Sequence, residues 1–468
     1  MENSNLTVSA KAIEKACSKV KDFLDGIVDK GSFVETDVFV TGKGFDDAAS
    51  ALGEGVVTGY ATVNGSPFHV FAQNAEVLKG SLGKAHADKI VRCMQRAVKT
   101  GTPLISVIDC AGARVGEGVS VLEGFAKVLS EAAIVSGQVP HFCIVKGNAV
   151  GMMASFVAMA DFVFMSEGAI MSVNSPMYLA SKEKDYPKYT DMIGFKAHKK
   201  GSDLAQFVYK SEADLKKQLT QLTSILLAAD EEEATDDPNR VASALNKECS
   251  AAVKVKAVAD NGEYVEYCKE WAPEVTCALA KINGISVGIA ATDSKVGDGY
   301  ITLDGVKKLT SFIEKLDGFD IPLVTLVDTL GVNPALSEEL AGAAKVTGDL
   351  IATVANSSTD KIGVAVGKAI GFGYSALMSK GIGFDYTLAT QNAVISPISG
   401  ETAVNALMSE QLSKAKDVEK TRAKLADEYA KIEANPMLGA QEGYIDNVVE
   451  AKNLRPYIAS ALMMLLGI

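Results

Sequence analysis

Two tandem copies of one α/β domain are what this sequence predicts, and three observations carry the expectation. Short apolar β-type runs alternate with longer helical periodicities. The strand-like runs end in loops of glycine and other small residues. The order of these features then comes round a second time. Asn64-Gly65 reappears as Asn283-Gly284, Pro103 as Pro322 and Asp109 as Asp328, each 219 residues later (328−109 = 219). Gly147-Asn148-Ala149-Val150-Gly151 returns as Gly367-Lys368-Ala369-Ile370-Gly371, at 367−147 = 220. The expected division is an N-terminal domain over 1–229, an acidic linker over 230–244 and a C-terminal domain over 245–468. The run Asp230-Glu231-Glu232-Glu233 opens that linker and reads as a solvated segment.

Along the first copy, Ile13, Ala16, Cys17, Val20, Phe23, Leu24, Ile27 and Val28 recur at helical spacing, and Gly31 follows as a stop. The runs Val56–Val63 and Pro67–Gln73 flank the turn Asn64-Gly65 and read as a hairpin. A helix is expected near His86–Lys99, then a turn at Gly101-Thr102-Pro103 and a buried strand over Leu104–Ile108 that ends at Asp109. In the second copy Leu323–Val327 takes that strand's place, ending at Asp328. Ser409–Ala434, rich in Lys, Glu and Ala, reads as one long helix that stops before Asn435-Pro436.

Composition narrows the function. The 468 residues are 48% apolar and 22% charged, a globular balance on a chain too long for one core. With 46 basic against 58 acidic side chains the net charge is −12, and no basic stripe is present to neutralise phosphates, so nucleic acid is not an expected partner. Seven cysteines without a C-x-x-C pair and four scattered histidines argue against a metal centre and a disulfide framework. The start Met1-Glu2-Asn3-Ser4-Asn5 lacks a leader pattern, and no apolar run reaches the ~20 residues of a membrane span. A cytoplasmic protein that does not insert into the membrane is expected.

Chemistry is expected where each buried strand meets its loop. Copy one reads Asp109-Cys110-Ala111-Gly112-Ala113-Arg114, and copy two reads Asp328-Thr329-Leu330-Gly331. Some 40 residues later each copy has a second small-residue turn, Gly147–Gly151 or Gly367–Gly373, opening a helical stretch. Small residues let a ligand approach the backbone, and N–H groups at a helix start point outward with a favourable dipole. Such donors can stabilise a developing negative oxygen. There is no G-x-S-x-G elbow and no G-x-x-x-x-G-K-[ST] loop. Cys110 has no histidine partner nearby and reads as a buried small residue; His86 and His198 are acid–base candidates only as isolated histidines.

The ordered set Gly31-Ser32-Phe33-Val34-Glu35, Gly55-Val56-Val57-Thr58-Gly59-Tyr60, Gly80-Ser81-Leu82-Gly83 before His86, and Gly112-Ala113-Arg114 with Glu117-Gly118 resembles the carboxyltransferase subunits of biotin-dependent acyl-CoA carboxylases and the related decarboxylases. Asp161-Phe162-Val163-Phe164-Met165, Lys368-Ala369 and Gly443-Tyr444-Ile445-Asp446 extend the resemblance over nearly the whole chain. The resemblance implies a tandem pair of crotonase-type (ClpP/crotonase) ββα-superhelix domains. It also implies transfer of a carboxyl group between N1 of biotin and the α-carbon of an acyl-CoA thioester.

By the same resemblance, Gly151 and Met152 would hold the thioester enolate, and Gly371 and Phe372 the biotin ureido oxygen. Ala111, Gly112, Ala113, Arg114 and Gly147 would bind the acyl-CoA; Thr329, Leu330, Gly331 and Gly373 would bind biotin. The family has Gly-Gly at both turns, so Met152 and Phe372 would be strained if their φ were positive. Without a biotinylation motif or an ATP loop, biotin is expected on a separate biotin carboxyl carrier protein. The further partner would be a biotin carboxylase or a membrane decarboxylase subunit. A homo-oligomer, from a dimer to a trimer of dimers, is implied, and no metal bound by this chain. Three readings stay open: carboxylation, decarboxylation in a sodium-pumping complex, and a degenerate crotonase-fold paralogue without catalysis. A hydratase or isomerase would need an acidic residue over the thioester.

Overall fold

The computed structural model of the chain describes residues 2–40, 48–182, 188–227 and 234–468. The chain falls into two compact units, Met1–Leu227 and Ala228–Ile468. The acidic stretch Asp230-Glu231-Glu232-Glu233 lies outside the described residues.

The first unit is built on β1 (Val34–Thr36), β2 (Val56–Val63), β3 (Ser66–Gln73), β4 (Leu104–Cys110), β5 (His141–Val150), β6 (Phe162–Ser166), β7 (Ile170–Ser172) and β8 (Phe207–Tyr209). They pair in the order β1-β2-β3-β4-β5-β6-β8, with β7 attached to β5. The β1–β2 and β2–β3 pairs are antiparallel and the rest are parallel. The second unit repeats the plan with β9 (Tyr264–Tyr267), β10 (Val275–Ile282), β11 (Ile285–Thr292), β12 (Leu323–Thr329), β13 (Lys361–Ile370), β14 (Tyr386–Thr390), β15 (Val394–Ser396) and β16 (Asn447–Val449). Its order is β9-β10-β11-β12-β13-β14-β16, with β15 on β13. One topology occurs twice, as the sequence repeat requires.

Packing follows from sequence pattern. β4 and β12 are buried along nearly their whole length because parallel strands are covered on both faces. The helix Lys84–Thr100 buries His86, Ala87, Lys89, Ile90, Cys93, Met94 and Ala97, a stripe at 3.6-residue spacing. Lys89 is fully buried on that stripe; its ammonium donates to the carbonyls of Gly53 and Val56 at 3.2 and 2.6 Å. Lys308, 219 positions on, does the same for the carbonyls of Trp271 and Val275 at 2.9 and 2.7 Å. A buried ammonium is tolerated when its donors are satisfied, and both copies solve that problem identically.

The long helix expected over Ser409–Ala434 is two helices, Ser409–Ser413 and Val418–Ile432. Asp417 breaks it: its carboxylate accepts the Lys420 N–H at 3.1 Å and starts the second helix as an N-cap.

Candidate active site

The loop after β4 and the turn after β5 come together because the two strands are parallel neighbours. Their register steps between Ile108 and Cys110, so that Cys110 faces Ala149. The second unit has the same irregularity, between Val327 and Thr329, with Thr329 facing Ala369. An aspartate secures each step. Asp109 Oδ1 accepts the Asn148 N–H at 3.1 Å, and Asp328 Oδ1 accepts the Lys368 N–H at 3.0 Å.

This carboxylate explains why position 147 is a glycine. Gly147 lies inside β5, and a Cβ there would stand 2.2 Å from Asp109 Oδ1. Gly367 stands in the same relation to Asp328, at 2.3 Å. The missing side chain makes room for the aspartate.

The turn itself is one residue long. Gly151 has φ 71° and ψ −138°, and Gly371 has φ 51° and ψ −113°. Met152 and Phe372 are the first helical residues, so the strain anticipated for them does not arise: the glycine before each one carries the unusual φ. The expected donor pairs need correction. Gly151 donates its N–H to the Ser172 carbonyl of β7 at 2.9 Å, and Gly371 donates to the Ser396 carbonyl of β15 at 2.9 Å. Those two amides are spent on neighbouring strands. The N–H groups of Met152 and Phe372 sit at first-turn positions, where a helix offers no carbonyl to accept them.

A second amide comes from the loop. Leu82 N–H donates to the Gly112 carbonyl at 3.0 Å, and Arg114 N–H donates to the Leu82 carbonyl at 2.9 Å. Ala113 between them forms a parallel bridge with Leu82, so its own N–H must point to the opposite side. Gly112 has φ 105° and abuts the turn; a Cβ there would lie 3.9 Å from the Val150 carbonyl. In the second unit Ile301 N–H donates to Gly331 and Asn333 N–H to Ile301, both at 2.9 Å, leaving the Val332 N–H directed away from Ile301. Gly331 also has φ 105°, with a Cβ position 3.4 Å from the Ile370 carbonyl. Val332 is not legible in the sequence because bridge geometry fixes an amide's direction and no side-chain motif marks it.

Other expected ligand contacts turn inward. Arg114 is buried and donates to Glu54 Oε2 at 2.8 Å, Glu117 Oε1 at 3.1 Å and the Ser81 carbonyl at 3.0 Å. Its guanidinium ties the loop to the scaffold. Gly373 is packed against Thr329, with a Cβ position 2.5 Å from Thr329 Cγ2, so a side chain there would collide with the loop. Thr329 Oγ1 donates to the Gly299 carbonyl at 3.0 Å. The Ala111 and Leu330 N–H groups donate to the carbonyls of Lys79 and Gly299 at 3.2 and 2.8 Å. These residues shape the loops, and the outward amides follow them in the chain.

Side-chain acid–base candidates are absorbed by structure. His86 is fully buried; its Nδ1 donates to the Glu54 carbonyl at 2.7 Å and its Nε2 meets Gln73 Nε2 at 3.2 Å. Burial pushes its pKa down to about 3, which keeps the ring neutral. His198 Nε2 donates to the Met171 carbonyl at 2.8 Å. The Cys110 thiol is buried and pushed up to about 11, far from thiolate chemistry.

The carboxyl transferase domain family model matches residues 20–467. The α subunit of methylmalonyl-CoA decarboxylase from Propionigenium modestum is 32% identical over 98% of this chain and 92% of its own length. The propionyl-CoA carboxylase β chain of Saccharopolyspora erythraea is 30% identical over 97% of this chain and 89% of its own. Among solved structures, the transcarboxylase 12S hexamer with hydrolysed methylmalonyl-CoA bound superposes with a TM-score of 0.90 at 27% identity, covering 99% of this chain and 95% of that one.

Proposed function

Because the chain belongs to the carboxyl transferase domain family, we propose that it moves a carboxyl group between carrier-bound biotin and the α-carbon of an acyl-CoA thioester. The observation that carries the reading is one turn built twice. In each unit a positive-φ glycine spends its own N–H on a neighbouring strand and releases the next residue's N–H as a helix start. A bridged loop amide lies beside it.

Ala113 and Met152 N–H form the hole for the thioester oxygen, and Val332 and Phe372 N–H form the hole for the ureido oxygen. Stabilising an enolate requires donors aimed at the oxygen where charge develops, and fixed main-chain amides meet that need without reorganising. Each donor is worth ~3 kcal/mol of barrier. Biotin, when bound, supplies the carboxyl donor or acceptor and the base for the α-proton. The neutral His86 and the protonated Cys110 therefore have no step to perform. The Met152 and Phe372 side chains stand where the family has glycine and tune the space around each oxygen.

Acyl-CoA and a biotin carboxyl carrier protein are the partners this chemistry demands. The same half-reaction run forward or backward serves a complex with a biotin carboxylase or with a membrane decarboxylase subunit. Among the described residues no helix is long and apolar enough to cross a membrane. An oligomer is part of the proposal, in line with the hexamer of the transcarboxylase 12S relative.

The test is carboxyl exchange: the purified chain should move label from malonyl-CoA or methylmalonyl-CoA to free biotin. A chain that binds either thioester yet yields no carboxybiotin would overturn the reading and leave the non-catalytic paralogue.

A further inference from the structure

The C-terminal unit holds a cavity of about 550 Å³ between the segment leading into the helix Ala251–Val258, the middle of β13 and the turn between β14 and β15. Its volume is in the range of small-molecule sites. None of Thr329–Val332 or Gly371–Gly373 is among its lining residues, so it is separate from the turn assigned to biotin.

The charges around this cavity are unbalanced. Three carboxylates line it, and each already has a lysine. Asp328 meets Lys254 at 2.7 Å, Glu450 meets Lys452 at 2.6 Å, and Glu248 meets Lys295 at 3.3 Å. Four lysines line the same space, and two of them, Lys254 and Lys452, are spent in those pairs. Lys247 and Lys368 remain without a carboxylate partner among the described residues. Gln391, Asn392 and Asn246 add neutral amide donors to the wall.

At the corresponding position the first unit carries different residues. Asp29 and Asp260 play one role, each accepting both N–H groups of its hairpin turn, Asn64-Gly65 and Asn283-Gly284. Six residues before them stand Phe23 and Lys254. Where the second unit has a buried ammonium at the cavity floor, the first has a buried phenyl ring under the Lys146 ammonium, 5.1 Å from its centroid. The polar cavity is a departure from the shared plan.

We propose that this cavity binds a phosphate-bearing small molecule of nucleotide size, with Lys247 and Lys368 holding the phosphates and the amide side chains accepting the polar remainder. Two sources share that chemistry, a free nucleotide and the nucleotide portion of a coenzyme A. The proposal stands apart from carboxyl transfer, and its test does not read catalysis.

Cys249 lines the cavity and is half-buried, whereas the other six cysteines are buried. Alkylation by iodoacetamide at alkaline pH, followed by peptide mass spectrometry on the full chain, therefore reports occupancy at one thiol. Pyrophosphate, ADP and S-methyl-coenzyme A, a thioether whose blocked sulfur does not consume iodoacetamide, are the probes. Saturable protection is expected, about tenfold slowing at nine times Kd, and the Lys247→Gln/Lys368→Gln double variant should lose it while keeping its unprotected rate. Protection by ADP and S-methyl-coenzyme A alike identifies the free nucleotide as sufficient. Protection by S-methyl-coenzyme A alone identifies the coenzyme as the source, and protection by pyrophosphate alone overturns a nucleotide-sized ligand. No protection at millimolar probe, or protection that survives in the double variant, overturns the proposal.

Discussion

The two units use one backbone device and support it with different charges. In the first, Asp109 bridges to the Asn148 N–H with no lysine beside it among the ion pairs of the described residues. In the second, Asp328 makes the same bridge and also takes the Lys254 ammonium and the Ser294 hydroxyl, at 2.7 and 3.0 Å, on its other oxygen. Burial works to raise the Asp328 carboxyl, and the charge and hydrogen bond of Lys254, with the Lys368 N–H and the Ser294 hydroxyl, outweigh it and hold the group below the ordinary carboxylate range.

A second buried acid shows the reverse assignment. Glu54 in the first unit is answered by Arg114, whereas Glu274 in the second accepts from the Thr302 N–H and hydroxyl. Duplication preserved the strand-end geometry and left each copy free to neutralise its acids separately. What the two halves must share is the direction of their amides, and the charges behind them are free to differ.

The largest effect should come from Lys254→Met, which strands a buried carboxylate at a cost of about 3–5 kcal/mol. Because the folded pKa of Asp328 lies below 3.8, its contribution is fully present above that value and disappears as pH falls through the folded one. In Lys254→Met the depression is lost, so acid unfolding followed by circular dichroism should begin at higher pH than in the unaltered chain. Equal acid midpoints would show that Lys254 is not what holds this carboxyl down.

Next are the two helix starts. Proline is tolerated at a first helical position and deletes its N–H, so Met152→Pro and Phe372→Pro remove one donor each from opposite halves. Each should lower carboxyl transfer by roughly 10²–10³-fold. Met152→Ala and Phe372→Ala retain the N–H and should lose far less. If either proline variant transferred carboxyl at the rate of the unaltered chain, its amide would not be one of the donors.

Smaller still are Gly151→Ala and Gly371→Ala, which force a side chain into a positive-φ conformation at about 1–3 kcal/mol each. Thermal melting should rank Gly371→Ala below Gly151→Ala. A Cβ at 371 stands 3.0 Å from the Pro397 carbonyl, and a Cβ at 151 meets nothing within 4 Å. The least effect is expected from pH on catalysis. With His86 pushed down to about 3, a rate profile between pH 6 and 8 should show no inflection that His86→Gln abolishes.

Several elements are legible in the chain of residues alone. The hairpin Val56–Gln73 announces itself by Asn64-Gly65 between β-type runs, and Val56–Val63 pairs with Ser66–Gln73 in that register. The duplication is readable because turns and strand ends demand particular residues: Asn-Gly, Pro and Asp recur wherever the backbone does the same thing twice. The family can be recognised for the same reason, since its motifs mark local backbone requirements spaced along the chain.

Sequence does not say which amides face a ligand. The resemblance implies Gly151 and Gly371 as donors, but a strand that arrives from some 20 residues further on takes each N–H. The resemblance implies Arg114 as an acyl-CoA contact, yet Glu54, 60 positions away, pairs with its guanidinium. Propensity and periodicity are set by neighbours in the chain and so belong to the sequence alone. Whether a donor is spent or free depends on which distant carbonyl packs against it, and only the assembled sheet decides that.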